Sequence, residues 1–246
     1  MDFDLSGQVV AITGASSGIG EATALACAQA GASVALAARR EDRITTLAER
    51  ITSEGGQAWA FKADVGEEDQ ARAFVDGAAE HLGRLDHLIN NAGVMLLGPI
   101  TDAPLDEWRQ MIHVNVFGVL YGSHAAIRHL PEGGSIVNVS SVAGRVAREG
   151  SGVYNLTKFG VGAFSESLRQ ELAPRGIRVT LIEPGAVDTE LSGHNRPEVL
   201  EAIKQRFAGI KRLEADDIAR AIVYAIGQPP HVAVNEVLVR PTSQQG

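Results

Sequence analysis

The sequence predicts a single-domain α/β fold built on a doubly wound parallel sheet with helices on both faces. Short continuous apolar runs alternate with amphipathic segments from end to end, and turns rich in glycine or asparagine follow several of these runs. Continuous apolar runs are typical of strands buried on both faces, and their alternation with helices indicates right-handed βαβ units. No internal repeat, low-complexity tract or linker interrupts the 246 residues, so we predict one domain over residues 1–246.

The predicted elements follow one another regularly up to the sixth strand. Strands are expected at residues 8–13, 32–38, 57–63, 85–90, 135–140 and 177–183. Helices are expected at residues 18–30, 41–54, 68–82, 104–130, 152–173 and 215–226. The segment of about residues 186–213 breaks the alternation, and an insertion after the carboxyl end of a strand lies beside the ligand crevice of such a sheet. We expect this segment to be a substrate lid; an ordinary surface loop is the alternative.

Composition and charge exclude several classes of protein. Hydrophobic residues make up 45% and charged residues 21%, an ordinary globular balance, and the formal net charge of −8 disfavours a nucleic-acid partner. No apolar stretch approaches the ~18 residues of a spanning helix, and the start of the chain does not read as a secretory signal. The single cysteine, Cys27, cannot form an internal disulfide, and the histidines lack metal-ligand spacing. The sequence therefore predicts a cytoplasmic protein that binds no nucleic acid, membrane or metal.

A glycine-rich turn follows the first predicted strand and opens the first helix. Glycines at such a turn let the backbone approach a pyrophosphate, and the helix N-terminus offers free N–H groups to it. Three residues separate the first two glycines, unlike the common dinucleotide fingerprint, which has one, and a tight structural turn is the alternative. The position after the opening strand favours cofactor binding. The candidate residues are Gly14, Ser16, Ser17, Gly18, Ile19 and Gly20.

The end of the second predicted strand indicates which nicotinamide cofactor is bound. Folds that bind NAD carry an acidic residue near this point to hold the adenosine ribose hydroxyls. This chain has Ala38 there, followed by Arg39 and Arg40. A guanidinium can bind a 2′-phosphate through paired donors, with Ser16 and Ser17 as further donors nearby. A solvated helix start is the alternative, but two cations at a helix N-terminus oppose its dipole. The sequence therefore predicts NADP(H).

A third cluster carries candidate acid/base chemistry. Tyr154 and Lys158 are four residues apart near the start of a predicted helix, so they project from one face. A tyrosine with a pKa near ~10 is a poor acid/base at neutral pH, whereas a nearby ammonium favours the phenolate and lowers that pKa. The pair alone is common on helices. Asn90–Gly93 after the fourth strand and Ser140-Ser141 after the fifth complete the pattern.

Taken together, these elements resemble the short-chain dehydrogenase/reductase family over nearly the whole chain. The family's serine lies thirteen residues before its tyrosine, which selects Ser141 rather than Ser140. The resemblance implies a Rossmann-like seven-stranded sheet and a catalytic tetrad of Ser141, Tyr154, Lys158 and Asn115. The cofactor residues that it adds to the glycine turn and the arginine pair are Asp64, Val65, Asn91, Ala92, Gly93, Pro184, Gly185, Val187 and Thr189, with Tyr154 and Lys158 themselves.

The resemblance also implies a role for each tetrad residue. Tyr154 is expected to donate a proton to the carbonyl oxygen during reduction and to accept it during oxidation. Lys158 is expected to lower the pKa of that tyrosine and to hold the nicotinamide ribose. Ser141 is expected to hydrogen-bond the substrate oxygen, and Asn115 to help hold a water that links Lys158 to solvent.

The predicted function is an NADP(H)-dependent oxidoreductase, a ketone or aldehyde reductase acting on a small carbonyl or alcohol. A catalytically silent NADP-sensing protein on the same fold is the alternative. Several segments, among them Arg39-Arg40 and the tail at 235–242, are similar to the clavulanate dehydrogenase branch and to NADP-dependent 3-hydroxy acid (serine) dehydrogenases. Arg145 and Arg148, before Tyr154, either recognise a substrate carboxylate or are solvated. The family implies a homotetramer or homodimer.

Overall fold

The computed structural model describes residues 3–244 and has one parallel sheet of seven strands. The strands are β1 (Val9–Thr13), β2 (Ser33–Ala38), β3 (Ala58–Lys62), β4 (His87–Asn90), β5 (Ser135–Val139), β6 (Arg178–Pro184) and β7 (Glu236–Val239). Their order is β3-β2-β1-β4-β5-β6-β7, and every neighbouring pair is parallel. The predicted doubly wound α/β fold is confirmed.

Helices cover both faces of the sheet. They are α1 (Gly18–Gln29), α2 (Glu41–Ser53), α3 (Glu68–Leu82), α4 (Leu105–Ile112), α5 (Gly118–Ala126), α6 (Gly152–Leu172), α7 (Pro197–Arg206) and α8 (Ala215–Ile226). Alternate residues of β1 show why its apolar run is continuous. Val10 and Ile12 pack with α1, α2 and α8 in one core cluster, whereas Val9 and Ala11 pack with α3, α5 and α6 in another.

The structure corrects the prediction in two places. The helix expected at residues 104–130 is divided, because a π-helical turn, His113–Phe117, separates α4 from α5, and α5 ends at Ala126. Helix α7 lies in a segment for which no helix was predicted. The other predicted strands and helices agree with the observed ones to within about two residues.

The strand order places a ligand crevice between β1 and β4. The connections leave β1 towards β2 on one side and reach β4 and β5 on the other, so the turns after these strands diverge. In a sheet of this kind, ligands bind outside the carboxyl ends of the strands at such a point. The glycine turn after β1 and the Asn-Ala-Gly loop after β4 both lie there.

The two ends of the segment after β6 lie side by side. Asp188 N donates to Leu213 O at 2.8 Å, and Leu213 N donates to Ala186 O at 2.9 Å. These two bonds close the base of an excursion that contains a short 3₁₀ helix, Glu190–His194, and α7. No helix within residues 3–244 is long and apolar enough to cross a membrane.

Candidate active site

The glycine turn is packed directly against the loop after β4. Gly14 has a φ of +68°, and a Cβ there would lie 2.8 Å from Ala92 Cα. A Cβ at Gly20 would lie 2.3 Å from Gly14 O. A side chain at either position would push the turn out of place, so both glycines are needed for the close approach of the two loops.

Thr13 fastens the two loops together. Its Oγ1 accepts hydrogen bonds from Asn91 N at 3.0 Å and from Ala92 N at 3.1 Å. The Asn91 side chain in turn donates to Thr13 O at 2.9 Å. Thr13 was not among the predicted site residues. It belongs to the glycine motif, but only the pairing of β1 with β4 shows what its hydroxyl does.

The predicted cofactor and catalytic residues meet in one cavity of about 390 Å³. A volume of this order suits a small-molecule or cofactor site. Gly20 and Asn115, from the predicted set, do not line it. The predicted residues that do are Gly14, Ser16, Ser17, Gly18, Ile19, Arg39, Arg40, Asp64, Val65, Asn91, Ala92, Gly93, Ser141, Tyr154, Lys158, Pro184, Gly185, Val187 and Thr189.

Arg40 is anchored to the glycine turn. Its Nε donates to Ser16 Oγ at 3.1 Å, and its NH2 group donates to Ser16 Oγ at 2.9 Å and to Ser17 Oγ at 2.7 Å. Arg39, beside it, is exposed and also lines the cavity. The end of β2 therefore presents guanidinium and hydroxyl groups to the crevice, a donor set suited to a phosphate.

Tyr154 lies near the start of α6 and is only 6% exposed. Burial raises the pKa of its phenol to about 12, although an interaction with the Ser141 hydroxyl opposes the rise. The sequence had led us to expect a lowered pKa. In this structure the pKa of Tyr154 is raised instead, because loss of solvent outweighs the hydrogen bond with Ser141. At neutral pH the phenol is protonated and can donate its proton.

Lys158 is buried one turn further along α6. Its Nζ donates to the main-chain oxygen of Val139 at 2.9 Å and lies 5.8 Å from the centre of the Tyr154 ring. Burial lowers the pKa of this ammonium to about 8. The lysine therefore shares one cavity with the tyrosine, but its hydrogen bond goes to the end of β5 and not to the phenol.

Ser141 lies two residues after the end of β5 and is the N-cap of a short 3₁₀ helix, Val142–Gly144. Its Oγ accepts from Ala143 N at 3.1 Å and donates to Pro184 O at 3.4 Å. The second bond is long, so the hydroxyl hydrogen can turn towards a ligand in the cavity at small cost. This position, next to Tyr154, suits a donor to a substrate oxygen.

Asn115 lies in the π-helical turn and is 1% exposed. Its Oδ1 accepts from Val94 N at 2.8 Å, and its Nδ2 donates to Val94 O at 2.9 Å and to Thr157 Oγ1 at 3.2 Å. The side chain thus fixes the loop after β4 to α6. Turns of this type are frequent at functional sites, and the helical pattern of the sequence gave no sign of one.

Asn155 is a second site residue that the sequence analysis missed. Its Nδ2 donates to Ala143 O at 2.7 Å and to Val146 O at 2.9 Å, and its Oδ1 accepts from Arg148 N at 3.2 Å. The residue beside Tyr154 therefore holds the whole segment that joins Ser141 to α6.

The two arginines of that segment have different surroundings. Arg145 donates to both carboxylate oxygens of buried Glu183, at 2.7 and 2.6 Å, and also pairs with Glu236. This arrangement excludes Arg145 as a free ligand for a substrate carboxylate. Arg148 lines the cavity, and within residues 3–244 its guanidinium is not in a hydrogen bond or ion pair.

The residues present fit a nicotinamide dinucleotide. Gly14 and Gly18 of the glycine turn line the cavity, and the side chain of Ser17, the N-cap of α1, makes no capping hydrogen bond, so the first N–H groups of the helix stay open to a phosphate. The Arg40–Ser16–Ser17 group adds positive charge at the end of β2. Within the described part of the chain, no group of three or more His, Cys, Asp or Glu side chains could hold a metal ion.

A comparison with protein families identifies the family of the chain. The model of the short chain dehydrogenase family matches residues 8–200, a range that includes Asn115, Ser141, Tyr154 and Lys158. The chain belongs to the short-chain dehydrogenase family. The resemblance drawn from the sequence motifs is thereby confirmed, and the chain is an oxidoreductase of that family.

Relatives support this membership along the whole chain. An uncharacterised oxidoreductase of Staphylococcus saprophyticus is 43% identical over 242 residues, covering 96% of this chain and 97% of the relative. A short-chain dehydrogenase of Burkholderia cenocepacia, solved in complex with NADP, is 33% identical, with a TM-score of 0.87 and coverage of 96% and 98%. A serine dehydrogenase in its closed form with NADP⁺ is 29% identical, with a TM-score of 0.88 and coverage of 97% of both chains.

Proposed function

We propose that this short-chain dehydrogenase is an NADP(H)-dependent oxidoreductase that interconverts a carbonyl compound and its alcohol. One observation carries the proposal: Ser141, Tyr154 and Lys158 line the same cavity as the glycine turn and the arginine pair. Acid/base groups and a dinucleotide cradle in one cavity suit transfer of a hydride between cofactor and substrate.

The choice of NADP(H) rests on charge. Arg39 and Arg40 follow β2, Ser16 and Ser17 contact Arg40, and Ala38 stands where folds that bind NAD carry the acidic residue for the ribose hydroxyls. The solved relatives from Burkholderia cenocepacia and the serine dehydrogenase were both crystallised with NADP. Asp64 and Val65 are proposed to border the adenine, and residues 91–93, Pro184, Gly185, Val187 and Thr189 to hold the nicotinamide half. When bound, the nicotinamide supplies or accepts the hydride.

The proton is proposed to pass through Tyr154. Its phenol is protonated at neutral pH, so in the direction of reduction its O–H donates to the carbonyl oxygen. Ser141 donates a hydrogen bond to the same oxygen as negative charge develops there. Lys158 holds the nicotinamide ribose, and its charge favours the phenolate that remains. Asn115 positions the loop beside Lys158 and, by the family resemblance, helps hold a water that connects it to solvent.

The substrate is proposed to carry a carboxylate. The cavity wall around Tyr154 is largely apolar, with Val94, Leu97 and Val146, and Arg148 brings an unpaired cation to it. A guanidinium in such a wall favours an anionic group on the ligand. The similarity to 3-hydroxy acid and serine dehydrogenases noted from the sequence agrees with this choice.

The excursion at residues 186–213 is proposed to act as the substrate lid. Leu191, Ile203 and Phe207 from this excursion line the cavity. The Asn195 side chain donates to Met95 O at 2.9 Å and accepts from Leu97 N at 2.7 Å, and so joins the excursion to the opposite wall. A cover attached on both sides can exclude water from the reacting groups.

We also propose that the protein forms a homodimer or homotetramer and that it is located in the cytoplasm. Phe117, Leu156 and Phe159 are 40%, 62% and 44% exposed, on the π-helical turn and α6. Apolar side chains exposed together are typical of a surface that pairs with another chain. Sedimentation velocity of the purified protein tests this: a monomer at micromolar concentration would contradict it.

The proposed function is tested by measuring the loss of absorbance that accompanies oxidation of the reduced nicotinamide. NADPH, and then NADH, is offered with ketones, aldehydes, 3-keto acids and β-lactam-derived aldehydes. We expect oxidation of NADPH with at least one of these classes, and slower oxidation of NADH. Tight NADPH binding without turnover across the panel would instead support the silent NADP-sensing protein.

A further inference from the structure

One group of ion pairs at the cofactor crevice has no role in the proposed mechanism. Glu190 opens the 3₁₀ helix of the lid, and its carboxylate meets Arg40 NH1 at 2.7 Å and Arg43 NH1 at 2.8 Å. Arg40 and Arg43 belong to the β2–α2 side of the crevice, about 150 residues away in the sequence. An ion-pair cluster therefore ties the lid to the wall that is proposed to receive the 2′-phosphate.

The guanidinium of Arg40 is almost fully used by these contacts. Two of its groups donate to Ser16 and Ser17, and its NH1 group donates to Glu190. An arginine has five N–H donors, and these four hydrogen bonds leave one. Arg43 and Arg40 also lower the pKa of Glu190 to about 2, so this carboxylate is ionised at neutral pH.

A 2′-phosphate and the Glu190 carboxylate cannot both form their full set of hydrogen bonds with Arg40 and Arg43. The phosphate carries about −1.5 to −2 charges at pH 7 and needs the same N–H groups. Glu190 supplies two oxygens and one negative charge at the same place, so it occupies the arginines as a phosphate would. Repulsion between the two anions favours departure of the carboxylate when the phosphate binds.

We propose that Glu190 is an internal competitor of the cofactor 2′-phosphate for Arg40 and Arg43, and that phosphate binding releases this end of the lid. The proposal rests on the proposed NADP(H) function. Glu190 then sets how strongly the protein binds NADP(H), and it does so without affecting a cofactor that lacks the phosphate.

Release of Glu190 frees one attachment of the lid and leaves the others in place. The base of the excursion is closed by the backbone bonds of Leu213 with Ala186 and Asp188, and Asn195 keeps its two bonds to the loop after β4. Of these attachments, the one made by Glu190 contacts residues of the proposed phosphate site. The side chains of Glu190, Arg40 and Arg43 are 40–50% exposed, so the pairs are weak enough for a phosphate to replace them.

The test is isothermal titration of wild-type protein and Glu190→Gln with adenosine 2′-monophosphate, NADPH and NADH. Glu190→Gln should bind both phosphate-bearing ligands about two- to tenfold more tightly, the range expected from losing two exposed ion pairs as competitors. NADH affinity should stay within about twofold. Glu54→Gln removes the same charge from an exposed pair with Arg50 at the end of α2, and is the matched control.

Each outcome has one meaning. Unchanged or weaker binding of adenosine 2′-monophosphate by Glu190→Gln would overturn the inference. A wild-type protein that binds NADPH no better than NADH would overturn the proposed NADP(H) function itself. As an independent readout, adenosine 2′-monophosphate should increase amide hydrogen exchange at residues 190–194 of the wild type, and unliganded Glu190→Gln should already show that increase. No increase in either would contradict release of the lid.

Discussion

The side chain of Asn155 accepts a hydrogen bond from the main-chain N–H of Arg148 at 3.2 Å. Asn155, the residue that follows the proposed acid/base Tyr154, thereby fixes the main chain at Arg148, which lines the cavity wall and whose guanidinium has no partner among the described residues. The proposed proton donor and the arginine proposed to bind the substrate carboxylate are thus linked through a single amide side chain.

Asn155→Ala should weaken both the fold and the reaction. The change removes three hydrogen bonds at a residue that is 5% exposed, and leaves two main-chain oxygens and one N–H without their partner. We expect a loss of about 2–3 kcal/mol of unfolding free energy, and a Tm lowered by about 5–10 °C. Thermal denaturation measures this, with Ser167→Ala, an exposed position on α6, as the control. An unchanged Tm would show that other contacts hold the segment.

Arg148→Leu should weaken the binding of a negatively charged substrate but not that of a neutral one. Loss of a charge-assisted hydrogen bond is worth about 1.5–3 kcal/mol, so KM for a keto acid should rise about tenfold or more. KM for the methyl ester of the same acid should change little, and Arg109→Leu, an exposed residue of α4, should change neither. Equal effects of Arg148→Leu on acid and ester would mean that Arg148 does not bind a carboxylate.

Arg39→Asp combined with Arg40→Ala should reduce the preference for NADPH. The double change removes the guanidinium that Ser16 and Ser17 orient, and adds a carboxylate that repels a 2′-phosphate. We expect the ratio of kcat/KM for NADPH to that for NADH to fall about tenfold or more. Arg50→Ala, on the exposed side of α2, should leave the ratio unchanged. If the double variant keeps the wild-type ratio, the phosphate is bound elsewhere.

His87 should make the fold sensitive to mild acid. Burial lowers the pKa of His87 to about 4, against about 6.5 in an unfolded chain. Below pH 6.5 the unfolded chain binds a proton that the folded protein does not, so stability falls as the pH drops towards 4. Between pH 7 and pH 5 the loss should be about 2 kcal/mol.

Urea denaturation at the two pH values measures that loss. His87→Gln should reduce the pH dependence of the unfolding free energy, because glutamine cannot be protonated in this pH range. His231→Gln, at an exposed position, should leave it as in the wild type. A His87→Gln variant that keeps the full wild-type pH dependence would assign the effect to other groups.

The strands and the glycine turn could be predicted because each depends on a local pattern. The two faces of β1 require an unbroken apolar run, and the turn of Gly14 needs a positive φ. Side-chain contacts across long sequence separations gave no such signal. The pairing of Arg40 with Glu190 and the anchoring of Asn91 by Thr13 join residues about 150 and 78 positions apart.

The π-helical turn and the pKa of Tyr154 could not be predicted for a related reason. A helical pattern of apolar residues continues through Asn115, so nothing in it marks a widened turn. A tyrosine four residues before a lysine indicates a lowered pKa, but in the structure burial raises the pKa of Tyr154. Burial depends on the whole fold and not on neighbours in sequence.

Turnover by Tyr154→Phe tests the central claim most directly. The assay uses NADPH with a carbonyl substrate that the wild-type protein reduces. We expect kcat of the variant to fall at least about 10²-fold, which is the contribution of a positioned acid. The Kd for NADPH should stay within about threefold of the wild-type value. Tyr224→Phe, at a 46% exposed tyrosine of α8, should behave as the wild type. Loss of turnover with cofactor binding intact is the predicted result. Turnover by Tyr154→Phe at the wild-type rate would contradict the assignment of Tyr154 as the proton donor.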